Sequence, residues 1–224
     1  MSAKKGPAAF RRPEKVSDTF SPRLRTACAA ALLAVLLAAG CANAVRVESA
    51  PQDHPWAQKI ELTGAPNLHK VSDDLYRGAQ PTAEGFQALQ QLGIRTVVDL
   101  RAFHDDKAEL GGLPLQYVHI SSHAWNAEDE DVVAFLRVAA DKAHAPVFVH
   151  CQHGADRTGL MAAAYRIVIQ GWTKEEAMME MTQGGFGFHG WPNLVKYIRK
   201  MDVERIRREA GLVEQGSVLG KDEP

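Results

Sequence analysis

The segment 146–159, PVFVHCQHGADRTG, decides the fold that we expect for this chain of 224 residues. The apolar run at 146–149 has the length of a buried strand, and the small residues from Thr158 to Gln170 favour a helix. Between them lies a short polar loop that begins at Cys151 and ends at Arg157. A strand–loop–helix turn points backbone N–H groups and the positive end of the helix dipole into one concavity. The sequence therefore predicts an anion-binding loop.

The residues at the two ends of this loop indicate its chemistry. The positive field of such a loop would stabilise the thiolate of Cys151, which is the nucleophilic form of the side chain. Arg157 carries a permanent charge on a planar fork that matches two oxygens of one phosphate group. A nucleophile inside a phosphate-binding loop is the simplest interpretation of this pairing.

The order His150-Cys151, five residues, Arg157-Thr158 resembles the signature of the protein tyrosine phosphatase superfamily. The similarity to its bacterial dual-specificity-phosphatase-like branch extends from about residue 74 to about residue 198. It includes the segments YRGAQP at 76–81, LGI at 92–94, VVDLR at 97–101 and GGFGFH at 184–189.

This resemblance implies a two-step hydrolysis of a phosphorylated protein or a small phosphomonoester, without a metal or another cofactor. Cys151 would attack phosphorus to form a cysteinyl-phosphate, and Arg157 would bind the phosphate oxygens. Thr158 either donates to the sulfur or only caps the helix. The substrate-binding residues implied by the resemblance are Gln152, His153, Gly154, Ala155 and Thr158.

The chain departs from the pattern of that family at the position of the general acid. Members carry an aspartate roughly thirty residues before the cysteine, whereas the corresponding segment 119–124, HISSHA, has none. Three residues offer a substitute: Asp156 inside the loop, which we rank first, Asp129 in an acidic run, and His123. Asp156 would otherwise orient Arg157, and the acidic run would otherwise be a solvated helix start.

Other residues near the motif leave structural and functional interpretations open. We expect His150 to hydrogen-bond to backbone around the loop as a structural histidine. Arg77 and Arg101 each end a strand-like segment, where they either line the pocket or form ion pairs with acids such as Asp99.

Three competing functions remain open at this point. The missing aspartate favours a catalytically impaired phosphate-binding module of the same fold. A rhodanese-type sulfur transferase also uses a cysteine in an anion-binding loop, although the His-Cys start and the arginine fit it less well. A metallo-hydrolase is disfavoured because the nine histidines include no His-Glu-x-x-His motif.

The N-terminal residues predict export. Residues 27–39 form an apolar stretch that is preceded by Arg23 and Arg25 and is too short to span a bilayer comfortably. The sequence LAAGC at 37–41 resembles a bacterial lipobox, and ANA at 42–44 is an ordinary cleavage site. We expect a protein of the bacterial cell envelope or periplasm, tethered to the membrane through a lipidated Cys41, with free secretion and an uncleaved anchor as the alternatives.

Charge and composition limit the partners of the remaining chain. Residues 1–41 hold seven of the 26 basic and two of the 27 acidic residues, which leaves a net charge of −6 for the rest. A mildly acidic body disfavours nucleic acid as a partner. Three cysteines offer no disulfide framework. We expect a monomer.

Alternating strand and helix patterns predict a three-layer α/β/α domain with a mainly parallel central sheet. The predicted parts are a signal peptide at 1–44, a linker at 45–58, a catalytic domain at 59–211 and a flexible tail at 212–224. Within the domain we expect helices from Thr82 to Leu92, from Asn126 as cap to about His144, and from Pro192 to Ala210. Thr173 and Glu176 predict a capping box at the start of a further helix.

Overall fold

The computed structural model describes residues 54–213. The predicted signal peptide with Cys41, the first part of the linker and the tail from residue 214 onward lie outside the described residues. Between residues 54 and 213, no helix has both the length and the apolar character that a membrane crossing requires.

Six strands form one mixed sheet in the order β1-β2-β3-β6-β4-β5. The four strands β3, β6, β4 and β5 run parallel to one another, and β1 and β2 add an antiparallel edge. The sheet is mainly parallel, as predicted, and its parallel strands end at one common edge. The strands are β1 (Gln58–Lys59), β2 (His69–Lys70), β3 (Leu75–Gly78), β4 (Thr96–Arg101), β5 (Gln116–Ser122) and β6 (Val147–His150).

Helices cover both faces of the sheet, which confirms the three-layer prediction. On one face, Phe148 of β6 packs with apolar residues of α1 and α2. On the other face, Val147 and Val149 pack with residues of α3 to α7. The alternation of side chains along β6 therefore divides the core into two layers. The helices are α1 (Ala83–Gln91), α2 (Lys107–Leu110), α3 (Asp129–Ala140), α4 (Asp156–Val168), α5 (Lys174–Gln183), α6 (Pro192–Lys200) and α7 (Val203–Glu209).

Helix ends agree with the sequence where a complete capping motif is present. The Thr173 hydroxyl accepts from the Glu176 N–H at 3.2 Å, and the Glu176 carboxylate accepts from the Thr173 N–H at 2.9 Å. The predicted capping box of α5 is thus confirmed. The Asn126 cap is wrong: α3 begins three residues later with Glu128 at its N-cap position, and the Asn126 amide donates to the Glu128 carboxylate instead.

The helix predicted from Pro192 to Ala210 is two helices. Met201 adopts an extended backbone with ψ of 125°, which ends α6. Asp202 then caps α7, because its carboxylate accepts from the Arg205 N–H at 3.0 Å. An amphipathic pattern that continues through both helices conceals this break, since it reports which face is apolar but not where the axis turns.

The contacts of the domain include residues on both sides of the predicted boundaries at 59 and 211. The His54 ring stacks on Trp172 with 4.8 Å between centroids. The Ala57 N–H donates to Glu180, whose carboxylate also forms a buried ion pair with Arg166 at 2.6 Å. Leu212 packs against the main core cluster at the other end.

Candidate active site

A cavity of about 550 Å³ opens at the edge where the parallel strands end. Arg101 ends β4, Ser122 ends β5 and Cys151 follows β6, so three adjacent strands deliver one side chain each. Ligands of open α/β sheets bind at this edge of the sheet. Its lining residues include Arg101, Phe103, His104, His123, Trp125, Cys151, Gln152, His153, Asp156, Arg157, His189 and Trp191.

The loop between β6 and α4 is held from behind by a buried arginine. Nη2 of Arg77 donates to the carbonyl oxygens of Gly154 and Ala155 at 2.8 and 3.3 Å. The guanidinium lies over the Phe186 ring, 3.8 Å from its centroid. Burial lowers the pKa of Arg77 to about 10, which still leaves it charged at neutral pH. Arg77 therefore supports the loop and is not among the residues that line the cavity.

Two further donors hold the preceding carbonyls of the loop. The side-chain amide of Asn67 donates to the His153 carbonyl at 2.9 Å, and the Gln80 N–H donates to the Gln152 carbonyl at 3.4 Å. Four successive carbonyls, from residue 152 to residue 155, are thus bound by donors outside the loop. Because a trans peptide points its N–H opposite to its C=O, the N–H groups of residues 153–156 point away from these donors. This is the concave arrangement that the sequence predicted for an anion.

Gly154 is required by the close approach of this loop to β3. Its φ is +68°, and a Cβ at this position would lie 2.4 Å from the Gly78 carbonyl and 2.6 Å from the Ala79 nitrogen. Both neighbours are backbone atoms, which have no room to move aside. Only glycine therefore allows the loop to rest on the end of β3.

His150 contacts a carboxylate, and the expectation of a backbone partner is wrong. Its Nε2 lies 2.8 Å from Oδ2 of Asp106, and both side chains are fully buried. Burial by itself would raise the pKa of Asp106, but the hydrogen bond and charge of His150, with a hydrogen bond from Gln80, lower it below its ordinary value. Asp106 is consequently an acceptor, and Nε2 of His150 is the donor. This pair locks the residue that precedes Cys151.

The same carboxylate is part of two groups of potential metal ligands within the described residues. One group joins Asp106 to Asp99 and His150, and the other joins it to His104 and Glu109. Both oxygens of Asp106 already accept short hydrogen bonds, from His150 and from Gln80 at 2.7 Å. Hydrogen bonding accounts for the clustering, and the expectation of a metal-free site stays a prediction.

Arg157 is held so that half of its guanidinium remains available. Nη1 donates to the carbonyls of Leu100 and Ser122 at 3.0 and 3.3 Å, at the ends of β4 and β5. The N–H groups on Nε and Nη2 remain as a planar fork beside the cavity, the geometry that binds two phosphate oxygens. Arg157 and the largely buried Cys151 line the same cavity, as the motif requires.

The structure tests the roles that the sequence left open for Thr158 and Arg101. The Thr158 hydroxyl is buried and has no partner among residues 54–213, so it makes neither a helix cap nor a hydrogen bond to the sulfur. Arg101 lines the cavity, while its backbone N–H donates to Asp99 at 2.8 Å and its side chain donates to Gln80. Arg101 is thus a second cation of the cavity wall.

The three candidate acids lie in different places. Asp156 and His123 line the cavity with Cys151. Asp129 does not: it pairs with Arg205, accepts from the Tyr197 hydroxyl at 2.6 Å, and lines a neighbouring cavity of about 370 Å³. The carboxylate of Asp156 accepts from both the backbone N–H and Nδ1 of His189, at 2.9 and 2.6 Å.

Sequence reasoning missed several contacts in and around the cavity. The exposed rings of Phe103 and Trp125 flank His123 at centroid distances of 5.8 and 4.6 Å. Asp106 and His189 lie 44 and 33 residues away from the side chains that they contact. No local pattern reports such contacts. In the sequence, the segment GGFGFH, which ends at His189, indicates a resemblance to a family and no contact with Asp156.

Comparison with known proteins agrees with this geometry. Residues 58–190 match the family model described as DSP-PTPase phosphatase fused to NAD+ kinase. The chain is 40% identical over 180 residues to the dual specificity protein phosphatase TpbA of Pseudomonas aeruginosa strain UCBPP-PA14, covering 80% of this chain and 81% of that protein.

Solved structures show the same similarity. A crystal structure of a cysteine-to-serine variant of P. aeruginosa TpbA with phosphotyrosine superposes with a TM-score of 0.63 at 38% identity, covering 71% of this chain and 98% of that chain. The catalytic domain of the PP-IP phosphatase SIW14 of S. cerevisiae, at 19% identity and a TM-score of 0.59 over 69% of this chain and 98% of that one, shares the fold.

Proposed function

This chain belongs to the DSP-PTPase family of cysteine-dependent phosphatases, and from that premise we propose that it dephosphorylates proteins through a cysteinyl-phosphate on Cys151. One observation carries this proposal. The backbone carbonyls of residues 152–155 are all bound by donors outside the loop, which leaves the N–H groups of residues 153–156 to bind an anion between Cys151 and Arg157.

The proposed first step is the attack of the Cys151 thiolate on phosphorus. The loop N–H groups and the fork of Arg157 hold the equatorial oxygens, and they stabilise the charge that spreads over those oxygens in the transition state. The sulfur–phosphorus bond forms as the bond to the leaving oxygen breaks. Water then attacks the cysteinyl-phosphate and releases inorganic phosphate, which restores the thiolate.

The walls of the cavity favour an aromatic phosphoester. Phe103 and Trp125 present 90% and 64% of their surfaces to solvent, so they are available to pack against a phenyl ring. The related TpbA variant was crystallised with phosphotyrosine. Among residues 54–213, the basic side chains of the wall besides its histidines are Arg101 and Arg157. Two fixed cations suit one phosphate dianion, and we therefore propose phosphotyrosine as the preferred group.

The decisive experiment compares wild type with Cys151→Ser on an aryl phosphate in the presence of a chelator. We expect wild type to turn over and Cys151→Ser to lose activity by at least about three orders of magnitude, because the hydroxyl is a far weaker nucleophile. Arg157→Lys should also lose most activity, since a lysine offers no fork. Turnover of phosphotyrosine and phosphoserine peptides would then show which phosphorylated side chain is preferred.

The alternative, a catalytically impaired phosphate-binding module, gives a different result in the same assay. It predicts that wild type binds vanadate but shows no burst even with an activated aryl phosphate, whose leaving group needs no acid. Turnover that is abolished by the chelator would contradict the metal-free mechanism.

We further propose export to the cell envelope with lipidation at Cys41. The proposal rests on the basic residues before the apolar stretch 27–39 and on the lipobox-like residues 37–41. Labelling of cells with radioactive palmitate tests it. Incorporation into wild type and its loss in Cys41→Ser are expected, and an unlabelled protein in the periplasmic fraction would favour free secretion.

A further inference from the structure

The contact between Asp156 and His189 bears on which side chain acts as the general acid. Both Asp156 oxygens are occupied, one by the backbone N–H and the other by Nδ1 of the same histidine. The Asp156 side chain is only 11% exposed, whereas the His189 ring is 51% exposed. A carboxylate that accepts two hydrogen bonds in this way has no proton to give to a leaving group.

The same contact orients the histidine. Because a carboxylate only accepts, Nδ1 of His189 must carry the proton of this hydrogen bond. The other ring nitrogen, Nε2, is then not engaged by Asp156, and the half-exposed His189 ring lines the cavity with Cys151 and Arg157. We propose that His189, oriented by Asp156, is the general acid that protonates the leaving oxygen.

The other titratable side chains of the cavity wall are less suited to this role. Asp156 is the one carboxylic acid among the described residues of the wall. His123 packs against Phe103 and Trp125 and has no carboxylate partner within the described residues. His104 lies 3.5 and 3.8 Å from its nearest carboxylates, both longer than the 2.6 Å contact of His189. His189 is thus the histidine of the wall with a short carboxylate contact.

The segment that carries His189 is anchored at its centre. Phe186 is 2% exposed, packs edge-on against His69 and lies under the Arg77 guanidinium. Its carbonyl accepts from the Asn67 amide at 3.0 Å, and the same amide holds the phosphate loop. His189 is consequently fixed to the phosphate loop at two points, at Asn67 and at Asp156, and its position follows that of the bound phosphate.

The proposed proton transfer from His189 rests on the proposed function. As the Cys151 sulfur bonds to phosphorus, the electron pair of the breaking P–O bond moves to the leaving oxygen, which takes the proton from Nε2 of His189. The neutral imidazole then accepts a proton from the attacking water as the new P–O bond forms and the P–S bond breaks. His189 is protonated again and the thiolate is restored.

The test is His189→Asn, because the asparagine amide can take the place of Nδ1 against Asp156 while it removes the titratable Nε2. Wild type and variant are compared on phenyl phosphate, whose leaving group needs a proton, and on 2,4-dinitrophenyl phosphate, whose leaving group does not. We expect kcat/KM on phenyl phosphate to fall roughly 100-fold and kcat/KM on the activated ester to change less than about three-fold, because kcat/KM reports the formation of the cysteinyl-phosphate and not its hydrolysis.

His123→Asn is the matched control at another histidine of the cavity wall. Its losses should be equal for the two substrates, and a loss confined to phenyl phosphate in this variant would overturn the proposal. Equal losses for both substrates in His189→Asn, or no loss, would also overturn it. Wild-type inactivity on the activated ester would instead refute the proposed function itself, so the two failures are distinguishable. Vanadate binding by each variant reports that the phosphate loop is intact.

Discussion

The floor and the rim of the cavity are built on opposite principles. The floor is the support behind the cavity lining: Gly154 in the loop, and Arg77, His150 and Asp106, whose side chains are buried and bonded to backbone or to one another. The rim consists of Phe103, His123, Trp125 and His189, which lie on connecting segments; all but the partly buried His123 keep much of their surface in solvent.

This difference separates phosphate binding from the handling of the rest of the substrate. A buried polar group costs free energy unless its partners are in place, so the floor has one stable arrangement and holds the loop rigidly. Exposed rings carry no such penalty, and the rim is free to differ in sequence without loss of the fold. We expect changes in the floor to affect stability and turnover together, and changes in the rim to affect turnover or substrate choice without affecting stability.

The largest effect is expected for Gly154→Ala in the floor. A Cβ would lie 2.4 Å from the Gly78 backbone at a positive φ, which combines a clash with strain. We expect a loss of at least about 3 kcal/mol in the free energy of unfolding and about 100-fold or more in kcat/KM. Urea denaturation and aryl phosphate turnover measure the two quantities.

Gly171→Ala is the control for that experiment. Gly171 has a comparable φ of +74° but no atom within 4 Å of the added Cβ, and it lies outside the cavity. We expect only the backbone strain to lower its free energy of unfolding, by about 1 kcal/mol, and we expect turnover to stay unchanged. Equal effects at the two glycines would show that contact with β3 does not matter.

A smaller effect is expected for Asp106→Asn, also in the floor. The loss of the charge weakens the contact with His150 and destabilises the protein by about 2 kcal/mol at pH 7. Because the pKa of Asp106 is lowered in the folded state, its stabilisation is complete above the ordinary value of about 3.9 and disappears as the pH falls further. The difference between variant and wild type should therefore shrink below pH 4.

Denaturation of both proteins at pH 7 and pH 3 checks this dependence. Asp105→Asn, at an exposed neighbour that pairs with Lys107, is the control and should change stability by less than about 0.5 kcal/mol at either pH. A pH-independent difference for Asp106→Asn would contradict the ionised pair.

The smallest effect is expected for Phe103→Ala in the rim. Because the ring is 90% exposed, stability should not change. Lost packing against the substrate ring should raise KM for an aryl phosphate about three-fold, with no change for an alkyl phosphate. Met179→Ala, at an exposed apolar residue that does not line the cavity, is the control. Equal effects on both substrates would contradict an aromatic subsite.

The floor was only half predictable from the sequence. The strand, the loop and the helix of segment 146–159 follow one another along the chain, so their composition alone indicates how Cys151 and Arg157 meet. Asp106 and Arg77 reach the same loop from distant positions, and their charged side chains look like ordinary surface residues in the sequence. Only the parallel pairing of β3 and β4 with β6 carries them into the interior.

The rim was hardly predictable at all. The absence of an aspartate at 119–124 is visible in the sequence, and so is the presence of Asp156. The tertiary structure decides their partners: Asp156 accepts a hydrogen bond from His189, and Asp129 forms an ion pair with Arg205. Both contacts depend on where α6, α7 and the glycine-rich segment pack against the rest of the domain.

The sequence by itself determined the anion-binding loop between Cys151 and Arg157, the layered fold and the helix starts at Thr82 and Thr173, because each of these depends on residues that are neighbours along the chain or on a regular apolar period. The tertiary structure alone decided which buried charges support the loop and which side chains complete the rim. Those contacts join residues tens of positions apart, and the free energy that selects them comes from burial and pairing, which exist only once the sheet and helices have packed.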